Sequence, residues 1–394
     1  MRGVDHDDHH REHDHSAQYD DHPEHQQSMK AVVLVGGEGT RLRPLTYTTP
    51  KPLLPIVNQA LLERQLTWLA GHGVDEVVLS LGYLPDAFGR HLPGARFGDL
   101  ALRYVVEDHP LGTGGAIRFA AEGIDERLIV CNGDVLTTLD LGALVRFHEA
   151  RGAEATIHLT KVSDPSAYGV VPTRGDGEVV AFVEKPPAGK APTSWINAGT
   201  YVLEPTVVER IPERLAVSIE RETFPRMLDH PGRLFAMPSA DYWIDVGTAD
   251  KYLAAHRDLL RGAMGTPPAP RASELEPGIW IQGNSTVDSS ARLEAPSLIG
   301  DGVVVEGDAS VVASVVGAGC HLGARSRVVR SVLLGGVRLG PRAEVVDSVV
   351  GAGATIGADA QVCGLSVVGP GVDVSGGACA SGARIARPFV DGED

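Results

Sequence analysis

The sequence predicts an α/β domain with a doubly wound, mostly parallel sheet, followed by a left-handed parallel β-helix. Two observations carry this prediction. Short apolar runs alternate with amphipathic stretches from residue 30 to about 260, and beyond that region apolar residues recur every six positions, with occasional intervals of five. A chain of 394 residues with 43% hydrophobic content is long enough for two domains with separate cores.

The first 28 residues contain many His and Asp residues and almost no apolar side chains. We therefore predict a disordered tail over residues 1–28, with weak transition-metal binding by its histidines as the alternative. The sequence has no apolar stretch of signal-peptide or membrane-spanning length, and its four cysteines have no CxxC spacing, so we expect a cytoplasmic protein. The net charge of −16 argues against nucleic acid or an anionic membrane as a partner.

Five apolar runs, at residues 31–35, 76–80, 102–106, 128–131 and 156–160, are the predicted strands of a first domain over residues 29–261. A helix is predicted to start near Asn58 and to end at Gly71, because it places four leucines on one face: Leu61, Leu62, Leu66 and Leu69. Residues 262–278 are rich in proline and have no periodicity. We predict that they form a linker.

The six-residue period extends over residues 279–387, the predicted second domain. Its anchors are Ile281, Val287, Leu293, Ile299, Val305, Val311, Val316, Leu322, Val328, Leu334, Leu339, Val345, Val350, Ile356, Val362, Val368 and Val374. This period fits a triangular coil in which each flat side supplies one inward aliphatic residue and each coil covers the edge of the next. Flat sides suit contacts between identical copies, so a homo-oligomer is predicted. Acyl transfer is an alternative role that would need a histidine base, and the repeats contain only His321.

The first predicted strand leads into a loop that contains Gly36, Gly37 and Gly39, followed by Arg41 and, further on, Lys51. Glycines let backbone amides approach a phosphate closely. The loop differs from the P-loop, which ends in Gly-Lys-Ser/Thr, and from the dinucleotide fingerprint, which has a third glycine where Leu42 stands. The two cations distinguish it from a plain structural turn, so the sequence predicts an anion-binding loop.

Two carboxylates accompany this loop. Asp134 follows the strand predicted at residues 128–131, at the sheet edge where open α/β folds bind ligands, and Asp245 lies in a later Trp-Ile-Asp segment. Mg²⁺ prefers hard oxygen ligands of this kind, although a single Asp in a turn is more often only a turn residue. Together, these motifs resemble the signature of the sugar-nucleotide pyrophosphorylases, which join a sugar 1-phosphate to a nucleoside triphosphate and release pyrophosphate.

The resemblance implies a nucleotidyltransferase domain whose nucleotide site includes Gly36, Gly37, Gly39 and Thr40. It implies catalytic cations at Arg41 and Lys51, and Mg²⁺ ligands at Asp134 and Asp245. Residues 182–186 resemble the family's Glu-Lys-Pro motif, and two further segments match the family's sugar pocket. The sugar-phosphate site implied by these matches consists of Gly169, Glu184, Lys185 and Asn197.

Two segments, residues 107–116 and 217–225, resemble the corresponding parts of mannose-1-phosphate guanylyltransferases. In the first segment, Glu107 and Gly112 are predicted to line the nucleotide site. A carboxylate at Glu107 would suit guanine, which offers two adjacent donors. The predicted substrates are therefore GTP and mannose 1-phosphate. The alternatives are UTP or dTTP with glucose 1-phosphate, and a non-catalytic regulatory subunit.

Overall fold

The structure is a computed structural model that describes residues 29–230 and 232–386. The tail predicted over residues 1–28 lies outside the described residues. A mixed sheet with flanking helices forms the first unit, and stacked triangular coils form the second. No helix in the described part of the chain is long and apolar enough to cross a membrane.

The strands of the first unit are β1 (Met29–Leu34), β2 (Pro55–Ile56), β3 (Gln59–Ala60), β4 (Val74–Leu81), β5 (Arg96–Phe97), β6 (Leu100–Val106), β7 (Leu128–Asn132), β8 (Val135–Thr137), β9 (Ala155–Lys161), β10 (Gly169–Val170), β11 (Val183–Glu184), β12 (Trp195–Leu203), β13 (Leu234–Pro238) and β14 (Trp243–Asp245). Its helices are α1 (Leu61–Gly71), α2 (Pro85–His91), α3 (Gly112–Ala120), α4 (Leu141–Arg151), α5 (Pro205–Glu209), α6 (Phe224–Met227) and α7 (Ala249–Leu260). Short 3₁₀ turns occur at Thr40–Leu42, Leu45–Tyr47 and Lys51–Leu53, and a π-helical turn occurs at Ile219–Thr223.

The central sheet has the strand order β11-β10-β12-β7-β1-β4-β6-β5, and β9 pairs with both β12 and β13. Strands β7, β1, β4 and β6 are parallel, whereas β12 runs antiparallel to β7. The predicted α/β class is confirmed. The five predicted runs coincide with β1, β4, β6, β7 and β9, and only the first extends past its strand, by Val35. The antiparallel strands beside β7 make the sheet mixed.

Helix α1 begins at Leu61 rather than near Asn58, where the sequence predicted its start. The preceding residues form a tight hairpin in which β2 pairs with β3. Val57 and Asn58 both have positive φ there, so neither can belong to a right-handed helix. The four predicted leucines are nevertheless all buried.

Alternate residues of β1 enter different hydrophobic clusters. Val33 packs in the cluster that contains α1, whereas Val32 packs in the cluster that contains Ile117 of α3. This alternation is the strand period of two, with helices covering both faces of the sheet. Because β1, β4 and β7 are parallel, their carboxyl ends meet at one edge of the sheet, where the candidate site lies.

The second unit has three sides, each a sheet built from successive coils. Side 1 consists of Ala272–Glu276, Ile279–Gln282, Ser297–Ile299, Val315–Val316, Val332–Leu333, Val349–Val350, Val367–Val368 and Arg384–Ile385. Side 2 consists of Thr286–Val287, Val304–Val305, His321–Leu322, Arg338–Leu339, Thr355–Ile356 and Asp373–Val374. Side 3 consists of Arg292–Glu294, Ser310–Val312, Arg327–Val329, Glu344–Val346, Gln361–Cys363 and Cys379–Ser381. Successive coils pair in parallel, which is the pattern of the left-handed β-helix that the hexad period predicted.

The structure changes one predicted anchor and adds one strand. Leu333, not Leu334, stacks between Val316 and Val350 inside the coils. The sequence pattern could not choose between two adjacent leucines, because both are buried, Leu334 in the cluster shared with the first unit. The added strand, Ala272–Glu276, lies within the predicted linker and pairs antiparallel with Ile279–Gln282. Its residues are mostly exposed, so the sequence has no apolar run there that would predict a strand.

Side 1 of the β-helix packs against the first unit. Its outward row is apolar and buried: Trp280, Leu298, Val315, Val332, Val349 and Val367. This row shares a cluster with Leu42 and Leu45, which lie one and four positions after Arg41. Asn58 also donates from Nδ2 to Oε1 of Gln282 at 3.0 Å. The loop that carries the predicted cations is thus supported by the β-helix.

Candidate active site

A cleft of about 570 Å³ opens at the carboxyl edge of the sheet. Its lining includes several predicted nucleotide-site residues and both members of a Lys-Asp pair: Gly36, Gly37, Lys51, Glu107, Gly112 and Asp134. Gly39 and Thr40 are absent from this lining. Gly39 has φ +62, in the region that favours glycine, and a Cβ atom there would lie 3.0 Å from Cβ of Lys51. Gly39 therefore shapes the loop around Lys51, while Thr40 is exposed on a 3₁₀ turn.

Lys51 and Asp134 form an ion pair inside the cleft. Nζ of Lys51 lies 2.5 Å from Oδ2 of Asp134, and the side chains are 13% and 27% exposed. The pairing of β8 with β14 places Asp245 opposite Val135, the neighbour of Asp134. The amide of Val246 donates to the carbonyl of Asp134 at 2.8 Å, so the two aspartates lie on directly bonded backbone segments.

Asp245 is surrounded by polar side chains. The Tyr168 hydroxyl donates to its Oδ1 at 3.0 Å, and Nζ of Lys251 donates to both Asp245 and Tyr168. Burial lowers the pKa of Lys251, but the hydrogen bonds to Asp245 and Tyr168 outweigh it, so the pKa is raised and the lysine stays charged.

Sequence reasoning missed Lys251. A signal for it existed, because Lys251 lies in the first turn of α7, where the helix dipole favours acidic residues and disfavours cations. A cation at such a position needs a nearby anion, and Asp245 supplies it.

Arg41 lies on the same side of the site as Asp245. A Cβ atom at Gly247 would lie 2.8 Å from Nη2 of Arg41 and 3.3 Å from Oδ2 of Asp245. A larger residue at position 247 would displace the Arg41 guanidinium from its place on the Asp245 side of the site. The Arg41 guanidinium therefore lies on the Asp245 side of the site, and Lys51 pairs with Asp134.

Glu107 is held in a fixed orientation at the wall of the cleft. Its Oε1 accepts a hydrogen bond from the Ser80 hydroxyl at 3.1 Å, and its Oε2 accepts one from the amide of Leu111 at 3.0 Å. Each carboxylate oxygen has a further lone pair, so the group can still accept from a ligand. Ser80 was not predicted, although a buried serine at the end of an apolar strand is a signal for such a contact.

Of the predicted sugar-phosphate residues, Gly169, Glu184 and Asn197 lie on β10, β11 and β12, and Lys185 directly follows β11. None of the four lines the cleft. Glu184 pairs with Gly169 across the two short strands. Lys185 has φ +48, which is uncommon for a lysine, and its Nζ lies 3.6 Å from Oε1 of Glu184. The Asn197 side chain donates to the Tyr201 hydroxyl at 2.8 Å and accepts from the amide of Gly199 at 2.9 Å.

Within residues 29–230 and 232–386 there is no group of three or more His, Cys, Asp and Glu side chains that could hold a metal ion by itself. Asp245 ends β14 and Asp134 directly precedes β8, the strand paired with it, so a cation held by these two carboxylates would need further oxygen ligands from substrate or water. His321, the one histidine of the repeats, lies on side 2 with Nε2 at 2.7 Å from Oε1 of Glu306.

Comparison with known proteins defines the class. Residues 30–262 match the family model described as "Nucleotidyl transferase", and residues 275–389 match the "GMPPB C-terminal domain". The chain therefore belongs to the nucleotidyl transferase family, and the resemblance stated from the sequence is confirmed.

Named relatives narrow the class. The "Mannose-1-phosphate guanylyltransferase" of Mycobacterium tuberculosis (strain ATCC 25618 / H37Rv) is 39% identical over 295 residues, which are 71% of this chain and 80% of that protein. The "Mannose-1-phosphate guanylyltransferase catalytic subunit beta" of Xenopus tropicalis is 37% identical over 271 residues, 67% of this chain and 73% of that protein. HddC from Yersinia pseudotuberculosis, in a crystal structure complexed with GMP-PN, matches with a TM-score of 0.50 and 30% identity, covering 58% of this chain and 99% of that one.

Proposed function

We propose that this chain transfers the guanylyl group of GTP to mannose 1-phosphate, giving GDP-mannose and pyrophosphate. The relatives named above support both substrates. The single observation that carries the choice of GTP is Glu107, a carboxylate fixed by Ser80 and Leu111 at the wall of the cleft. Guanine offers an N1–H and an amino group side by side, which matches an acceptor that cannot rotate away.

The chemistry needs positioning and charge neutralisation more than an activated side chain. A phosphate oxygen of the sugar 1-phosphate is already anionic at neutral pH, so it can attack the α-phosphorus of GTP without a protein base. Lys51, mostly buried in the cleft, neutralises the phosphates that leave as pyrophosphate. Arg41, on the Asp245 side of the site, adds a second cation.

The donor set at Asp134 and Asp245 fits Mg²⁺, because both ligands are hard oxygens on hydrogen-bonded neighbouring segments and the substrate phosphates can complete the coordination. Bound there, the ion would stabilise negative charge on the reacting phosphates. Lys251 and Tyr168 hold the Asp245 carboxylate in place, and Lys51 holds Asp134. Mg²⁺ dependence is part of this proposal.

On the sugar side, Lys185 and Glu184 are proposed to bind the acceptor. Lys185 is exposed and paired only loosely with Glu184, so its ammonium is free to turn toward a phosphate. Replacing it by alanine should weaken mannose 1-phosphate binding and leave GTP binding nearly unchanged. The cytoplasmic location and the homo-oligomer formed through the β-helix stay predictions.

The test is pyrophosphate release measured over a grid of GTP, UTP and dTTP against mannose and glucose 1-phosphates. We expect GTP with mannose 1-phosphate to give the highest kcat/KM, and a tenfold preference for UTP or dTTP would contradict the proposal. Glu107→Gln should lower kcat/KM for GTP by about 10- to 100-fold, the value of a hydrogen bond to a charged acceptor. Asp108→Asn is the matched control, because Asp108 is an exposed acid in the lining of the same cleft.

A further inference from the structure

The two segments that resembled the guanylyltransferases pack against each other. The amides of Gly114 and Gly115 donate to the carbonyl of Val217 at 2.8 and 3.3 Å, and the amide of Val217 donates to the carbonyl of Leu111 at 2.8 Å. A Cβ atom at Gly115 would lie 2.3 Å from the carbonyl oxygen of Leu215, so glycine is required for this approach. The start of α3, which lines the nucleotide cleft, is therefore fixed to the irregular segment before residue 219.

Glu220 lies at the centre of this contact. Its Oε2 accepts hydrogen bonds from the hydroxyls of Thr113 at 2.7 Å and Ser218 at 2.8 Å. Its Oε1 accepts one from the Tyr201 hydroxyl at 3.3 Å. Thr113 lines the nucleotide cleft, and its hydroxyl also accepts from the amide of Ile219 at 3.0 Å.

Glu220 is also connected, through Tyr201, to the predicted sugar-phosphate residue Asn197. Tyr201 is fully buried, and its hydroxyl accepts a hydrogen bond from Nδ2 of the Asn197 side chain at 2.8 Å. Burial and the nearby Glu220 carboxylate hold the pKa of Tyr201 well above its ordinary value, so the phenol stays protonated and donates. Arg221, the residue after Glu220, donates from Nη2 to Oε1 of Glu184 at 3.3 Å. One short segment thus contacts both the nucleotide wall and the sugar side.

We propose that Glu220 is a positioning residue that couples the two substrate pockets, through Thr113 on the nucleotide side and through Tyr201 and Asn197 on the sugar side. The proposal rests on the proposed function, since it assumes a nucleotide in the cleft and a sugar 1-phosphate beside it. A nucleotide that contacts Thr113 acts on the hydrogen bond from Thr113 to Glu220, and Glu220 transmits this effect through Tyr201 to Asn197. Nucleotide binding should therefore increase the affinity for the sugar phosphate.

Glu220→Gln tests this link with little change in shape. All three partners of Glu220 donate hydrogens, so a glutamine can satisfy Thr113 and Ser218 with its carbonyl oxygen, but it then points its NH₂ group at the Tyr201 hydroxyl. The Tyr201 hydroxyl accepts from Asn197 and donates its own hydrogen to Glu220, so an NH₂ group in that place leaves this hydrogen without its acceptor. The substitution therefore breaks the sugar-side contact selectively.

The measurement is calorimetric titration of mannose 1-phosphate, with Mg²⁺ present, into enzyme with and without the α,β-methylene analogue of GTP, which cannot release pyrophosphate. The ratio of the two dissociation constants is the coupling factor. We expect a factor of about ten in the unsubstituted enzyme, within the usual range for coupled sites, and twofold or less in Glu220→Gln. Glu222→Gln is the control, because Glu222 bonds only locally to Ser218 and Arg226 among the described residues and should keep the factor.

A purely structural Glu220 would lower the melting temperature and leave the coupling factor unchanged, and that result would overturn the proposal. A coupling factor of one in the unsubstituted enzyme would overturn it as well. If Glu220→Gln does not fold, Tyr201→Phe decides, since it removes only the hydroxyl that joins Glu220 to Asn197. The proposed function fails separately, by absence of pyrophosphate release from GTP and mannose 1-phosphate in the unsubstituted enzyme.

Discussion

The first unit and the β-helix place their charged side chains differently. In the first unit, charged groups from distant parts of the chain converge on one cleft, where Lys51 pairs with Asp134 and Glu107 is part of the lining. In the β-helix, charges pair from one coil to the next along the outer faces, as Arg330 does with Asp347 and Arg342 with Asp359. The first arrangement can act on a ligand, whereas the second neutralises itself along the stack.

The sides of the β-helix differ among themselves as well. The residue before each inward anchor is apolar on side 1, where it contacts the first unit, as in Leu298, Val315, Val332, Val349 and Val367. At the matched positions of side 2, the residues are Val304, His321, Arg338, Thr355 and Asp373. Side 1 is therefore a docking face within the chain, which leaves sides 2 and 3 as the faces for the predicted contacts between copies.

The largest effect is expected in the first unit. Asp134→Asn removes a negative charge from the cleft without changing shape, and activity should fall by about a thousandfold, or about 4 kcal/mol of transition-state stabilisation. Initial rates at saturating Mg²⁺ measure the loss, and an unchanged melting temperature verifies the fold. Near-normal rates would remove Asp134 from the proposed metal site.

Matched substitutions on two sides of the β-helix test the docking face. Val332, 2% exposed on side 1, and Val304, 37% exposed on side 2, occupy equivalent positions in their coils. Val332→Asp buries an unpaired charge and should lower the free energy of unfolding by more than about 3 kcal/mol. Val304→Asp should change it by less than about 0.5 kcal/mol. Urea denaturation of both variants measures the two losses of unfolding free energy. Equal losses would contradict the comparison.

Acid should destabilise the first unit, because the buried histidines found in the described residues lie there. Burial lowers the pKa of His256 to about 3 and that of His158 to about 4. The unfolded chain gains protons below about pH 6.5 that the folded chain excludes, so stability should fall by about 1.4 kcal/mol per pH unit for each histidine between pH 6.5 and its folded pKa.

The test is urea denaturation between pH 7.5 and pH 5. His256→Asn keeps an acceptor for the amide of Val57, which donates to Nδ1 of His256 at 3.2 Å, and it should reduce the pH slope. His230→Asn, at an exposed histidine, should leave the slope unchanged. Equal slopes in all three proteins would show that another group titrates.

The smallest effect is expected for the ion pairs on the outer faces of the β-helix. Nη1 of Arg327 lies 3.2 Å from Oε1 of Glu344, and the two side chains are 54% and 32% exposed. Arg327→Gln should lower the free energy of unfolding by less than about 1 kcal/mol, and the difference should shrink in 1 M salt. A loss as large as that of Val332→Asp would mean that the pairs, rather than the docking face, stabilise the stack.

Periodic features of the sequence determined the fold. The hexad pattern predicted the β-helix because each coil repeats the same inward position, so local spacing carries the whole architecture. The apolar runs at β1, β4 and β7 predicted the sheet for a similar reason. The error at Leu334 arose where spacing was ambiguous by one residue, and only the pairing of Val316 with Leu333 resolved it.

The glycine loop, Lys51 and the two aspartates were also visible in the sequence, because their residue types and motif spacing are distinctive. Their partners were not. Lys251 on Asp245, Ser80 on Glu107 and the docking of side 1 on Leu45 join residues whose spacing along the chain carries no period. Glu220 is the clearest case: it stands 107 positions from Thr113, and its 2.7 Å hydrogen bond exists only because α3 and the segment after Leu215 are packed together. The local sequence determines which side chains a segment offers. Which of them form hydrogen bonds with each other is decided by how the elements pack, because a hydrogen bond requires a donor–acceptor distance correct to a few tenths of an ångström and a suitable angle.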